Sequence, residues 1–226
     1  MKYDLNIKDL KAVVFDWDNT LAESRTALVF AVNKVLAEYG LKNWEIEKKK
    51  RDNNLSFKDN FVNIFGSNAA TAYEKYRKIY LENVDNMIST FPKTHDVLNF
   101  FKNNGVHIMI MSNKERILLE HELPLLFERN LFDNIVCGHE AKQDKPHADH
   151  LLWTLKDVIG DTKINKRNVW VVGDSPQDSQ CAQNAGARAI RIGKSIWQDE
   201  NTPDNDVYFF DSFVDFYDSL LLSNPK

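Results

Sequence analysis

Cysteine is scarce in this chain. Cys137 and Cys181 are the only two among 226 residues, and neither stands in a metal-ligand spacing, so no cysteine-built metal centre is in view. That usage fits a reducing compartment. No apolar run is long enough to span a membrane, and Met1-Lys2-Tyr3-Asp4-Leu5-Asn6 has no apolar stretch of signal-peptide length. The expectation is a soluble, cytoplasmic protein without a membrane partner. Excess positive charge is lacking too. Lys and Arg number 29 against 33 Asp and Glu, a formal charge of -4, and no nucleic-acid footprint is expected. An anionic substrate would need local positive charge, from a metal or a placed lysine. Internal repeats and low-complexity tracts are absent, and nothing bears on oligomeric state. The length allows one sizeable domain, or a core with a smaller insertion.

What is present is an alternation of short apolar runs and helical patterns. Ala12–Asp16, Val106–Met111, Asn134–Cys137, Val169–Val172 and Ala187–Ile192 are expected as strands. Helical patterns separate the last four, which predicts an α/β fold with a doubly wound parallel sheet. One helix follows Lys145, with Leu151, Leu152, Leu155, Val158 and Ile159 in period, and stops at Gly160. Another follows Asp178 and stops at Gly186.

Between Leu21 and Phe91 no run reads as a strand. Leu28, Ala31, Val32, Val35 and Leu36 make one helical stripe, Phe57, Phe61, Ile64 and Phe65 a second, and Tyr73, Tyr76, Tyr80, Val84 and Met87 a third. One crossover helix needs far fewer residues, so the stretch reads as a helical insert with its own small core. Its aromatics are expected to pack together, not to hold a cofactor.

Chemistry gathers where strands run out. Asp16-Trp17-Asp18-Asn19-Thr20 follows the first run, at the strand end where open α/β sheets bind ligands. The pair Asp16 and Asp18 is either a solvated turn or a nucleophile with a proton-exchanging partner. After the fourth run, Gly173-Asp174-Ser175-Pro176-Gln177-Asp178 reads as a helix start, with Ser175 as cap, Pro176 first in the helix and Asp178 its acidic partner. That reading leaves Asp174 without a task. Beside Asp16 it would complete an oxygen-rich site suited to Mg²⁺.

Ser112-Asn113-Lys114-Glu115 matches a capping box, and a helix N-terminus with a hydroxyl also suits phosphate. Lys145 precedes a proline able to open a helix, and is either surface or a point charge that neutralises carboxylates and phosphate. His147 and His150 have a metal spacing but no third ligand, so exposed helix surface is expected. Lys48-Lys49-Lys50-Arg51 reads as a solvated face.

Four segments in this order resemble the haloacid dehalogenase-like hydrolase superfamily, in its phosphoglycolate phosphatase and β-phosphoglucomutase branch. They are DWDNTLAES, MSNK, DKPHADHLL and GDSPQDSQCAQNAGA, and the likeness runs from the first strand to about Gly193. The resemblance implies a Rossmann-like catalytic core of residues 1–20 and 90–226, with an all-helical cap of residues 21–89 that selects the substrate. It implies Asp16 as nucleophile and Asp18 as general acid/base. Asn19, Ser112, Asn113 and Lys145 would bind phosphate. Asp16, the Asp18 carbonyl and Asp174 would hold Mg²⁺, with Asp178 in support. Two departures stand out: Asn19 replaces a usual glycine, and Asp52-Asn53-Asn54-Leu55 replaces a loop that often carries Gly and Pro.

The function expected is Mg²⁺-dependent hydrolysis of a small phosphorylated metabolite through an aspartyl phosphate. A phosphomutase or phosphotransferase would use the same core. A dehalogenase would use Asp16 on carbon with little need of the other acids, and a non-enzymatic phosphate-binding protein would not need the nucleophile.

Overall fold

Every side chain of Ala12–Phe15 (β1) is buried, as a strand covered on both faces requires. In the computed structural model, which describes residues 3–52, 55–160, 162–193 and 206–225, five further strands accompany it. They are His107–Met111 (β2), Asn134–Val136 (β3), Val169–Gly173 (β4), Arg188–Ile192 (β5) and Val207–Phe210 (β6). All pairings are parallel, and the sheet runs β3-β2-β1-β4-β5-β6.

Side chains alternate across the sheet into two apolar layers. Val13, Phe15, Trp170 and Val172 meet Thr94–Asn103 (α5 in chain order), Arg116–Leu126 (α6) and Phe213–Ser223 (α9) through Phe101, Leu119, Phe216 and Leu220. Ala12, Val14, Met109 and Val171 face Ala148–Ile159 (α7) and Pro176–Asn184 (α8) through Leu151, Leu155, Cys181 and Ala182.

The stretch between β1 and β2 is helical, with Arg25–Glu38 (α1), Trp44–Glu47 (α2), Phe61–Phe65 (α3) and Ala69–Asn83 (α4) preceding α5. Its own cluster joins Leu28, Ala31, Val32 and Val35 to Trp44, Phe61, Tyr73, Tyr76 and Tyr80. The chain enters and leaves side by side, with the Glu23 N–H donating to the Ser89 carbonyl at 2.8 Å.

Several expectations need correction. β6 and α9 were not anticipated, although Val-Tyr-Phe-Phe has strand composition. Helix α6 begins at Arg116 with Glu115 as its cap residue, so Ser112 is no helix cap. Helix α7 opens at Ala148, past Pro146. His150 is fully buried, not exposed, and Arg51 is half-buried where a solvated face was expected. Asn53 and Asn54 lie outside the described residues. No helix among the described residues is long and apolar enough to cross a membrane.

Phe61 is the hub of the insert, its ring centroid 5.0 Å from those of Phe65 and Tyr73 and 5.6 Å from that of Tyr76. Phe61→Ala should cost about 3–5 kcal/mol, the range for deleting a well-packed aromatic. Urea denaturation followed by fluorescence would check this, and a cost under about 1 kcal/mol would show a loosely packed insert.

Candidate functional site

The sheet order reverses between β1 and β4, and the crevice beyond the carboxyl ends of those strands is where ligands bind in such sheets. Register sets the geometry there. Phe15 pairs with Val172, and the Asp16 N–H donates to the Val172 carbonyl at 2.9 Å. Asp16 therefore lies beside the turn that carries Asp174.

A lysine lies at the centre. Lys145 Nζ is 2.6 Å from Asp16 Oδ1 and 2.7 Å from Asp178 Oδ1, with the side chain almost fully buried. Burial works against its ammonium, yet Asp16 and Asp178 outweigh that and hold it above its ordinary range. Asn113 clasps its peptide: Oδ1 accepts the Lys145 N–H at 3.1 Å, and Nδ2 donates to the Lys145 carbonyl at 2.9 Å. The same N–H points at His150 Nδ1, 3.2 Å away. Burial, then Lys145, drives His150 down to about 3, so its imidazole is neutral and can accept.

Asp178 has two partners. As the third residue of α8 it completes a capping box with Ser175, accepting the Ser175 N–H at 3.0 Å through Oδ2. Its other oxygen holds Lys145. A Cβ on Gly173 would lie 2.3 Å from the Asp178 carboxyl, so only glycine lets that carboxylate so close to β4.

Asp16, Asp174 and Asp178 each offer an oxygen within 4.8 Å of the others, and all three are buried. Burial pushes Asp16 up from 3.8 to about 7; Lys145 opposes the rise, while Asp178 and Asp18 add to it. Three hard carboxylate oxygens gathered at this point make a donor set that fits Mg²⁺. Asn19 stands beside this cluster, where its amide donates to Asp174 Oδ2 at 2.9 Å and its N–H to the Ala22 carbonyl. Its φ of 59° explains why Asn can stand in the glycine position.

The Asp18 carboxylate turns the other way, to the Ser24 hydroxyl and to Lys114 Nζ at 2.7 Å. Ser112 is buried at the rim of the same cleft. Facing it from the insert are Arg51, Lys58 and Tyr73, around a space of about 60 Å³. Sequence reasoning missed Lys114, Arg51 and Ser24. Lys114 stands inside a segment already singled out, but nothing in one sequence distinguishes it from a surface lysine.

The haloacid dehalogenase-like hydrolase family matches residues 13–192. A phosphoglycolate phosphatase of Aquifex aeolicus is 26% identical over 209 residues, covering 86% of this chain and 91% of its own. Pyrophosphatase PpaX of Oceanobacillus iheyensis is 22% identical, covering 83% and 85%. Among solved structures, CbbY of Rhodobacter sphaeroides in complex with phosphate superposes with a TM-score of 0.76 at 18% identity, covering 92% of this chain and 96% of that one. A predicted phosphoglycolate phosphatase of Haemophilus somnus gives 0.77 at 19%, covering 95% and 99%. At those identities the two structures bear on the fold alone.

Two outcomes follow from the geometry. Gly173→Ala should displace Asp178 from Lys145 and lower kcat by at least about tenfold, whereas unchanged kcat would mean that Asp178 needs no such proximity. In metal-free protein, folded Asp16 keeps its proton between its ordinary 3.8 and about 7 while the unfolded chain has released it. Its contribution to stability is thus complete below the lower value and lost as pH rises through the upper one. The melting temperature should therefore fall from about pH 5 to about pH 8, and fall less in Asp16→Asn; equal slopes would refute the raised proton affinity.

Proposed function

The chain belongs to the haloacid dehalogenase-like hydrolases, and on that premise we propose that it is a Mg²⁺-dependent phosphatase of a small phosphomonoester. One observation carries the reading: a buried lysine is held between Asp16 and Asp178 at a cleft that also presents Asp18 and Ser112, with a carboxylate oxygen of Asp174 within 4.8 Å of those of Asp16 and Asp178. In this reading Asp16 attacks phosphorus and forms an aspartyl phosphate. Asp18 protonates the leaving oxygen, then takes a proton from the water that hydrolyses the intermediate. Lys145 and the Ser112 hydroxyl bind the equatorial oxygens, where charge stabilisation dominates phosphoryl transfer. The side chain of Asn113 is engaged with Lys145, so its contact with phosphate would come from the main chain.

Asp16, Asp174 and the Asp18 carbonyl, with Asp178 in support, would hold Mg²⁺, whose charge keeps carboxylates from repelling a phosphate dianion. The helical insert acts as a cap that excludes bulk water during the first step. Its side of the cleft brings Arg51, and Lys58 paired with Glu115. The relatives named phosphoglycolate phosphatase and pyrophosphatase support a substrate that is small and strongly anionic.

The test is release of inorganic phosphate from glycolate, sugar and nucleotide monophosphates with Mg²⁺. Release that stops on chelation, and drops at least about a thousandfold in Asp16→Asn, is expected. An isomerised phosphate ester in place of free phosphate would indicate a mutase. Substantial turnover by Asp16→Asn would overturn the nucleophile assignment.

A further inference from the structure

Glu122 is a fully buried carboxylate with no part in the reaction described above. It lies on α6, facing the turn between Asp16 and Asp18. Its two oxygens face different partners. Oε2 accepts the indole N–H of Trp17 at 2.5 Å, and Oε1 lies 2.6 Å from Lys114 Nζ. Lys114 reaches on to Asp18 Oδ1 at 2.7 Å, and donates to the Tyr80 hydroxyl at 3.1 Å. A carboxyl group in the interior is costly unless its polar atoms are paired, and hydrophobic replacements of similar volume often serve stability as well. A plain packing role therefore explains Glu122 poorly.

Its two contacts address the same catalytic turn from two directions. Trp17 stands between the two acids in sequence, fully buried, with its ring edge-on to Phe127 at 5.9 Å. Holding its indole fixes the backbone from which Asp16 and Asp18 project. Holding Lys114 fixes the ammonium against which the Asp18 carboxylate rests. We propose that Glu122 is a positioning residue for the acid/base step, setting the place of Asp18 through Trp17 and Lys114. It touches neither substrate nor the reacting atoms.

The inference rests on the phosphatase reading and on Asp18 as proton donor to the leaving group. An alkyl phosphate needs that proton because its alkoxide is a poor leaving group, whereas a p-nitrophenolate leaves without it. The measurement is kcat/KM, which reports events up to the first bond cleavage, on 2-phosphoglycolate and on p-nitrophenyl phosphate. A neutral amide in Glu122→Gln can still accept from Trp17 but no longer pairs with the Lys114 ammonium. That variant should lose about tenfold or more on 2-phosphoglycolate and less than about threefold on p-nitrophenyl phosphate. Glu122→Asp keeps the charge but is one methylene too short to reach both donors. It should show the same selective loss, and serves should the amide variant fold poorly.

A merely structural role would lower both substrates by the same factor, and that result overturns the proposal, as does wild-type behaviour on both. Wild-type release of phosphate from the two esters, and its loss in Asp16→Asn, is measured alongside. Failure of those controls counts against the phosphatase reading. Equal losses with the controls intact count against Glu122 alone.

Discussion

The contact on which the site depends is the buried ammonium of Lys145 between Asp16 and Asp178. Deleting one partner of a buried ion pair typically costs about 3–5 kcal/mol, because the survivor is left uncompensated in a low dielectric. Here two carboxylates share one cation and a third, Asp174, lies within reach of both. A second buried cation, Arg191, donates to the Asp174 carbonyl at 3.2 Å.

Keeping that contact in place explains otherwise unrelated features of the loops. Asn113 closes two hydrogen bonds onto the Lys145 peptide, linking the loop after β2 to the loop after β3. Ser175 and Asp178 cap α8 reciprocally, so the helix start itself aims the carboxylate. Gly173 leaves the gap into which that carboxylate fits, and Gly138 likewise admits the Asn113 main chain, where a Cβ would come within 2.5 Å of its carbonyl oxygen. Neutral His150 accepts from the same Lys145 N–H without adding charge. Each device acts over one or two residues. Together they place four loops to within hydrogen-bonding distance.

The parts legible in the sequence were those with a local period or a local rule. The buried strands around Val14, Ile110 and Val171 read as apolar runs, and the α1 stripe from Leu28 to Leu36 read as one face. Ser175 and Asp178 obeyed a capping rule that held. Where local rules failed, tertiary geometry had overridden them. Ser112-Asn113-Lys114-Glu115 has the composition of a capping box, but its side chains answer to Lys145 and Asp18, and α6 waits until Arg116. His150 sits one helical turn from exposed residues, yet faces the sheet. Arg51 ends a run of solvated lysines and nonetheless turns into the cleft, where burial lowers its guanidinium to about 10. No periodicity announces such turns, because each depends on a partner distant in sequence.

The two acids of the first loop, two residues apart, occupy opposite surroundings. Asp16 faces Lys145 and the other carboxylates, and Asp18 faces Ser24 and Lys114. Carboxylates in contrasting environments can divide nucleophilic and proton-transfer work between them. The division also ties chemistry to the insert. Ser24 immediately precedes α1, and Tyr80, which accepts from Lys114, lies on α4. Any shift of the insert relative to the sheet must therefore alter what the Asp18 carboxylate touches, whereas the Asp16–Lys145–Asp178 cluster draws only on two sheet loops and the start of α8. One side of the site is fixed by the core, and the other is answerable to the helices that cover it.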